Sequence, residues 1–149
     1  MKRGIRKLRK SFGFALDGIK YCVNNERNFR IHLVAIAYVL IFSHLAQIST
    51  IEFAIMMMCF AQVLSAELLN TAIECLCNRT GFEYNIFIKN AKDIAAAAVL
   101  VCAISCVIIG LVIFTPKIGI ILANLTVIYI GILIILTLIN LWFIFKRRT

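Results

Sequence analysis

The sequence is poor in charged residues and contains a single proline. Only 15% of its 149 residues are charged, whereas soluble domains carry about 25%. Hydrophobic residues make up 62% of the chain, and its mean hydropathy is +0.97. These values exclude an ordinary soluble domain. A helix needs about 20 apolar residues to cross a hydrocarbon layer of about 30 Å, and the chain has several such runs, which predicts an all-α membrane protein.

Acidic residues are absent from the first ten positions, MKRGIRKLRK, which carry six basic residues. This segment continues into an amphipathic stretch and not into a short apolar region with a small-residue cleavage site, so we expect no cleavable signal peptide. The basic residues are not followed by an aromatic platform, and we therefore expect no nucleic-acid partner. Anionic lipid head groups are the expected partners of this basic face.

The six cysteines lack histidine or cysteine partners at the spacing of a zinc site. Most of them fall inside apolar runs, and Cys102 and Cys106 share one helix face. We interpret them as small apolar packing residues.

Hydropathy divides the chain into a surface helix and four apolar runs. Within residues 1–30 the apolar side chains recur at steps of three and four, which predicts an amphipathic helix at the membrane interface. Three spans are predicted at about residues 31–48, 51–77 and 94–114. A fourth apolar run follows a break at the only proline, in TPKIG, and predicts an additional C-terminal transmembrane helix within residues 118–149.

Positive charge alternates along the chain. Lys and Arg number nine before the first span, none in the short turn at Ser49 and Thr50, three in the loop after the second span, one beside the proline and three at the C-terminus. This alternation predicts that both termini and the middle loop lie in the cytoplasm. We expect the polar residues 24–30 to bend the chain into the first span, and residues 78–92 to form the middle loop.

The second span carries a polar stripe in the segment AELLNTAIECLCN. Its members are spaced three, four, seven and eleven residues apart, so they share one face of a helix. They are Glu67, Asn70, Thr71, Glu74 and Asn78. An ionised carboxylate near the bilayer centre costs about 3 kcal/mol, and ionisable residues inside a membrane are functional candidates by default.

The two glutamates of the stripe are separated by two helical turns, about 10.5 Å along the axis. They are therefore expected to have separate roles. Glu74 lies nearer the cytoplasm, where a carboxylate suits a divalent cation, and Glu67 lies deeper, where it suits proton transfer. The structural alternative is that Asn70 joins helices and that both glutamates pair with Arg30 or Lys92. Glu52, at the other end of this span, is expected to be a solvated interfacial carboxylate.

A second polar cluster precedes the third span. Lys89, Lys92 and Asp93 share one helix face. A lysine here serves either as a positive-inside anchor or as a ligand of polyphosphate oxygens. The small residues Ala95–Ala98 predict close helix packing.

With NERNFRIH, ELLNTAIE and AKDIAAAAVL in this order, the chain resembles the prokaryotic diacylglycerol kinase and undecaprenol kinase family over roughly Phe12–Lys117. The resemblance implies a small homotrimeric kinase of the bacterial cytoplasmic membrane. Its members have an amphipathic surface helix and three spans, without the glycine-rich loop or P-loop of soluble kinases. Residues 1–117 would form the lipid kinase domain, with the active site on the cytoplasmic side.

The resemblance also implies roles for individual residues. Glu67 matches the catalytic base, and Asn70 lies beside it. The Mg²⁺ ligands would be Glu26 and Glu74, and the nucleotide would contact Lys92 and Asp93 as well as these two carboxylates. Arg30 would support the site or pair with lipid phosphate. His32 is expected to be an interfacial histidine and not a ligand.

The favoured hypothesis is an ATP- and Mg²⁺-dependent lipid kinase that phosphorylates undecaprenol in preference to diacylglycerol, because NFRIH looks more like the undecaprenol branch. Asn78 departs from the family, which has aspartate there, and predicts weaker metal binding or altered activity. The alternative is a catalytically impaired member that acts as a lipid-binding or structural membrane protein. An ion-conducting protein is disfavoured, since one polar stripe on one helix gives no continuous path.

Overall fold

The computed structural model of the chain describes residues 2–79 and 85–145, and 94% of these residues are helical. The all-α prediction is confirmed. Within the described residues, helices follow one another with short connections. They are α1 (Lys2–Asn25), α2 (Arg27–Leu45), α3 (Thr50–Arg79), α4 (Ile86–Phe114), α5 (Ile118–Asn124) and α6 (Val127–Phe145). The predicted basic C-terminus at residues 146–148, and residues 80–84 of the predicted middle loop, lie outside the described residues.

α1 is a single helix of 24 residues, as its amphipathic pattern predicts. Its apolar side chains Ile5, Leu8, Phe12 and Leu16 are each at least 60% exposed. An unburied apolar face beside basic residues suits a helix that lies in a membrane interface. Near its C-terminal end α1 meets the rest of the chain, and there Cys22 is buried.

The connection between α1 and α2, which forms a corner, is shorter than predicted. The sequence predicts a polar bend over residues 24–30, whereas only Glu26 lies outside the two helices, with extended backbone angles at the start of α2. The reason is that two residues of the polar segment face the protein: Phe29 and Arg30 are both buried. Their burial brings the first turn of α2 against the rest of the bundle.

The connection between α2 and α3 lies at residues 46–49. Gln47 adopts a left-handed backbone conformation, with φ of 48°, which reverses the chain. The Ser49 backbone N–H donates to Glu52 Oε2 at 2.7 Å, and the Glu52 N–H is 3.3 Å from the Ser49 hydroxyl oxygen. This reciprocal arrangement is a capping box, which satisfies free N–H groups at the start of α3.

α3 and α4 pack against each other along much of their length. The buried side chains in this pair include Cys59 and Val63 on α3 and Ala95 and Val99 on α4. α4 begins at Ile86, so the prediction of a loop as far as residue 92 is wrong for its last seven positions. The helix starts early because the Asn85 side chain accepts a hydrogen bond from the Phe87 N–H at 2.8 Å, which caps its N-terminus.

The third span ends at Phe114 as predicted, but the chain stays helical through Pro116. The chain passes through Thr115–Lys117 as a 3-10 turn and continues into α5. Proline is tolerated there because its missing N–H is not needed at the first positions of a helical turn. The apolar run that predicts a single fourth helix is interrupted instead at Leu125, whose backbone is extended.

Three helical segments of the described chain are long and apolar enough to cross a membrane. They are Arg27–Leu45, Thr50–Arg79 and the continuous stretch Ile86–Asn124. The stretch Tyr129–Phe145 of α6 is a shorter apolar helix. The protein is therefore a multi-pass membrane protein, and the additional C-terminal span stays a prediction.

α6 runs antiparallel to α2 and contacts it along its length. The hydroxyls of Tyr38 and Thr137 are 2.7 Å apart near the middle of the pair. At one end the rings of His44 and Tyr129 lie with their centroids 6.2 Å apart. This direction brings the C-terminus of α6 to the α1–α2 corner.

Candidate active site

The polar stripe of α3 faces into the bundle for its first three members. Glu67 is 2% exposed, and Asn70 and Thr71 are also buried. Glu74 is half-buried and Asn78 is exposed, so the stripe passes from a buried end to an open end along the helix. Burial within the bundle therefore decreases along the stripe from Glu67 to Asn78, and the predicted difference in membrane depth stays a prediction.

A cleft with a volume of about 380 Å³ opens over this stripe. Its polar wall is formed by Glu67, Asn70 and Glu74 of α3 together with His32 of α2. The opposite wall comes from α4 and is apolar, with Val99 among its residues. The cleft thus places carboxylates and hydrocarbon side by side, an arrangement that suits a substrate with a polar head and an apolar chain.

His32 is the closest charged or ionisable neighbour that the described residues provide for Glu67. Its Nε2 atom is 3.4 Å from Glu67 Oε1. That carboxylate oxygen is buried and has no hydrogen-bond partner in the described structure. The sequence predicts that His32 is an interfacial histidine and not a ligand, and it does not predict this contact. The available signal was its spacing of three from Phe29, which places both side chains on one face of α2.

Asn70 is hydrogen-bonded to Glu74, the shallower glutamate of the stripe. Its side-chain amide donates to Glu74 Oε1 at 3.0 Å, an i to i+4 bond along the helix. Its own carbonyl oxygen is buried and lacks a partner. Buried polar atoms are nearly always hydrogen-bonded in folded proteins, so unpaired oxygens of Glu67 and Asn70 in one cleft point to a ligand site.

Glu26 lies at the α1–α2 corner and is half-buried. Burial raises the pKa of Glu26 above its ordinary value; the carboxylates of Glu74 and Glu67 raise it further, and Arg30 opposes them. The fold therefore brings three carboxylates from two distant parts of the sequence within electrostatic reach of one another. A cation between them would relieve their repulsion.

The donor set fits a magnesium ion that arrives with a nucleotide. In the part of the chain that the structure describes, no three His, Cys, Asp or Glu side chains converge as a complete metal cage. Magnesium commonly takes one or two protein carboxylates and completes its shell with water and substrate phosphates. Glu26 and Glu74 supply such a pair of carboxylates.

Lys92 is hydrogen-bonded to Asn78, the residue that departs from the pattern implied by the family resemblance. The Lys92 ammonium donates to Asn78 Oδ1 at 2.7 Å, which joins the start of α4 to the end of α3. Asp93, the next residue, is exposed. The cluster predicted to bind nucleotide thus lies at the open end of the stripe, beyond Glu74.

Arg30 forms no ion pair with a carboxylate among the described residues. Its guanidinium donates to the backbone carbonyls of Val23, Asn24 and Ile144. The structural alternative, in which Arg30 or Lys92 pairs with the stripe glutamates, is therefore not observed among the described ion pairs. Arg30 supports the α1–α2 corner through backbone contacts and not through a contact with the cleft.

Comparisons with known proteins agree with these features. A sequence model of the prokaryotic diacylglycerol kinase family matches residues 13–114. The undecaprenol kinase of Bacillus subtilis is 44% identical over 108 residues, which cover 72% of this chain and 88% of the relative. A diacylglycerol kinase of Synechocystis is 40% identical over 101 residues, covering 67% and 58%. The diacylglycerol kinase of Escherichia coli is 30% identical over 105 residues, covering 70% and 86%.

The matched residues contain α2, α3 and α4 together with the second half of α1, so they include every side chain of the cleft. α5 and α6 lie beyond them. The chain belongs to the prokaryotic diacylglycerol kinase family, whose members are lipid kinases.

Proposed function

We propose that the protein uses ATP and Mg²⁺ to phosphorylate the hydroxyl of a membrane lipid, with undecaprenol favoured over diacylglycerol. The observation that carries this proposal is the cleft itself. It holds a deeply buried carboxylate, Glu67, whose free oxygen is beside an apolar wall, and a second carboxylate, Glu74, at its open end. The arrangement matches a reaction between an apolar alcohol and a polar phosphate donor.

Glu67 is the proposed general base. It takes the proton from the lipid hydroxyl as the oxygen attacks the γ-phosphorus of ATP, and ADP leaves with the bond to its bridging oxygen broken. Burial supports this role, because a carboxylate that is shielded from water accepts a proton from a bound hydroxyl more readily. His32, 3.4 Å away, holds the Glu67 side chain in orientation.

Glu26 and Glu74 are the proposed magnesium ligands. When bound, the ion neutralises negative charge on the phosphates during transfer. Asn70 supports the geometry, since its amide already holds Glu74 Oε1 at 3.0 Å. A hydrogen bond to a ligand side chain orients that side chain towards the metal and tunes its affinity for the metal.

Lys92 and Asp93 are the proposed nucleotide contacts. Lys92 is anchored to Asn78 at the open end of the cleft, where an ammonium group can meet phosphate oxygens. Asp93 is exposed beside it and is assigned to the nucleoside. In this proposal the lipid hydroxyl binds at Glu67 in the buried part of the cleft, and the nucleotide binds at its open end beside Lys92. The metal binds between them at Glu74.

The preference for undecaprenol is supported by two sequence features. Identity to the Bacillus subtilis undecaprenol kinase is 44%, above the 40% and 30% found for the two diacylglycerol kinases. The segment NFRIH also resembles the undecaprenol branch. The α4 wall of the cleft is apolar, which an isoprenoid chain requires but does not by itself select.

We extend the proposal to the arrangement in the cell. In this arrangement the basic residues of α1 face the anionic head groups of the cytoplasmic leaflet, and both termini and the cleft are on the cytoplasmic side of a bacterial membrane. The chain forms a homotrimer, as family resemblance implies. Residues 1–117 act as the kinase domain, and residues 118–149 add a further transmembrane helix.

A kinase assay with competing substrates tests the proposal. Purified full-length protein in detergent micelles receives radiolabelled ATP, Mg²⁺ and equal amounts of undecaprenol and diacylglycerol. We expect label in undecaprenyl phosphate at a rate above that in phosphatidic acid. Faster labelling of diacylglycerol would overturn the lipid preference alone. Absence of both products, with no shift in melting temperature on adding Mg²⁺ and ATP, would support the non-catalytic alternative.

A further inference from the structure

Arg30 binds the C-terminal ends of two helices at once. Its side chain is buried, and Nη1 is 3.1 Å from the Val23 carbonyl oxygen and 3.2 Å from that of Asn24. Nη2 is 3.3 Å from the carbonyl oxygen of Ile144. The first two carbonyls belong to the last turn of α1, and the third belongs to the last turn of α6.

The chemistry of these contacts is that of a helix cap. The last four carbonyls of a helix have no partner within it, and they form the negative end of the helix dipole. A guanidinium offers several donors in a rigid fork and stays charged, so Arg30 can bond to the last carbonyls of α1 and to a carbonyl of α6 at the same time. A lysine has one compact charge and lacks the fork.

A second contact holds α6 to the same corner. The guanidinium of Arg27 lies over the ring of Phe145, 5.1 Å from its centroid. Farther along the pair, the Asn124 side chain just before α6 donates to the Leu45 carbonyl at 2.9 Å. The contacts at both ends of α2 fix the position of α6 along it, so the last carbonyls of α6 arrive at Arg30.

The corner that Arg30 holds carries Glu26. This residue lies between α1 and α2, outside both helices, so its position depends on how the two helix ends are held. We propose that α6 is a positioning element of the candidate metal site and acts through Arg30, which joins the last turn of α1 to α6 and so fixes the position of Glu26 at the corner. The inference rests on the proposed role of Glu26 as a metal ligand.

The inference assigns a function to a helix outside the matched family region. That region ends at residue 114, and the contacts of α6 with Arg27 and Arg30 reach back into it. Arg30 is then a positioning residue, because it touches neither the nucleotide nor the lipid side of the cleft. Its effect is on metal affinity and not on the chemical step.

The experiment removes α6 and measures hydrogen exchange at the α1–α2 corner. A chain that ends at Leu125 keeps Asn124 and loses the whole helix. Hydrogen exchange of the amides in residues 23–30 is followed in the absence of metal. We expect exchange at this corner to be at least about tenfold faster than in the full chain, with exchange in the middle of α3 and α4 unchanged. The Mg²⁺ concentration for half-maximal kinase activity should rise several-fold while kcat at saturating Mg²⁺ changes little.

Two further variants keep the test decisive if the shortened chain does not fold. Arg30→Lys retains the charge and loses the fork, and Phe145→Ala loosens the end of α6 while leaving the helix in place. Both should speed exchange at the corner. Leu138→Ala is the matched control on α6, because this side chain is 65% exposed. It should leave exchange and the Mg²⁺ requirement unaltered.

Unchanged exchange at residues 23–30 in folded variants would overturn the positioning role. Faster exchange with an unchanged Mg²⁺ requirement would show that α6 fixes the corner without affecting the metal, which also overturns the inference. If the full chain phosphorylates no lipid, the proposed function fails, and the exchange measurement still decides whether α6 holds the corner.

Discussion

Two glutamates of α3, one in its first turn and one beyond its middle, have opposite surroundings. In the first turn, Glu52 accepts from the Ser49 N–H at 2.7 Å and pairs with the Lys117 ammonium at 2.6 Å. In the other half, Glu67 is almost fully buried, yet its Oε1 has His32 nearby and no hydrogen-bond partner in the described structure. The Glu52 carboxylate has partners within the fold, whereas one oxygen of the Glu67 carboxylate has no hydrogen-bond partner among the described residues.

This difference separates structural from functional polar groups in a membrane protein. A polar group in an apolar environment destabilises the folded state unless it is paired, so a fold that leaves one unpaired gives up stability. The partners of Glu52 show that this chain can pair an acid when stability is the only requirement. The oxygens of Glu67 and Asn70 that have no partner among the described residues therefore make the cleft the candidate for a ligand site.

The strongest test of the comparison is Glu67→Gln. Gln keeps the shape of the side chain and removes the proton acceptor, so we expect the lipid kinase rate to fall by about 10² to 10⁴. Because the substitution removes a poorly compensated buried charge, the melting temperature should stay the same or rise. Kinase rates in micelles and thermal unfolding by circular dichroism measure the two effects. A variant that keeps more than a tenth of the rate would remove Glu67 from the role of base.

Glu52→Gln is the matched control at the other end of the helix. It weakens the ion pair with Lys117 and one arm of the capping box, so the melting temperature should fall by a few degrees. The kinase rate at a temperature where the variant is folded should be unaltered. A large loss of activity without a loss of stability would contradict the division between the two halves of α3.

The next largest effect is expected on the metal requirement. Glu74→Gln removes a proposed ligand and should raise the Mg²⁺ concentration for half-maximal activity by well over tenfold. Asn70→Ala removes only the amide that holds Glu74 at 3.0 Å, and we expect a rise of about tenfold. Titration of activity with Mg²⁺ at saturating ATP gives both numbers. An effect of Asn70→Ala on kcat alone would assign Asn70 to the substrate and not to the metal.

A smaller effect is expected at His32. Replacing it with Ala removes the neighbour that lies 3.4 Å from Glu67 Oε1 and leaves the base without a fixed orientation. The lipid kinase rate should fall by about tenfold, less than for the loss of the base itself. Gln at this position keeps a donor and should restore part of the rate. The KM for Mg²⁺-ATP is the internal control and should not change, because His32 is on the lipid side of the cleft.

How much of this was predictable depends on whether the signal is local in the sequence. The stripe of α3 could be derived from spacing alone, because residues three and four apart on a helix share a face. The long α4 was mispredicted at its start, since one cap residue, Asn85, outweighed the polar composition of residues 86–92. The interruption of the fourth apolar run was not predicted, because a run of apolar residues does not reveal the extended backbone at Leu125.

The candidate site shows the same division. Glu67, Asn70 and Glu74 come from one helix and were found from its pattern. His32 reaches the cleft from the first part of the chain, and Glu26 lies at the α1–α2 corner within electrostatic reach of the cleft carboxylates. Both placements depend on how α1, α2 and α3 pack. The resemblance to a known family supplied Glu26, and no local pattern supplied the contact of His32 with Glu67. The bonds of Arg30 to α6 join residues 114 positions apart, a separation at which a single sequence carries no packing signal.

The smallest expected effect is at Asn78, the open end of the stripe. Asn78→Asp restores the charge that the family has at this position, four residues beyond Glu74. The bond from Lys92 at 2.7 Å would become an ion pair, and the added negative charge would attract Mg²⁺ more strongly. Because Asn78 is exposed, solvent and salt screen the gain, so we expect the half-maximal Mg²⁺ concentration to fall by only about two- to fivefold.

Salt and a second substitution distinguish this electrostatic effect from a change in the fold. The gain from Asn78→Asp should shrink as ionic strength rises from about 0.01 M to about 0.15 M, since the screening length falls from about 30 Å to about 8 Å. Lys92→Met removes the cation that now shares the position, and combining the two substitutions in a double-mutant cycle measures their coupling. A fall in the Mg²⁺ requirement that salt does not diminish would mean that Asn78 acts by packing. The open end of α3 would then resemble its first turn, where the polar side chain of Glu52 serves only to stabilise the fold.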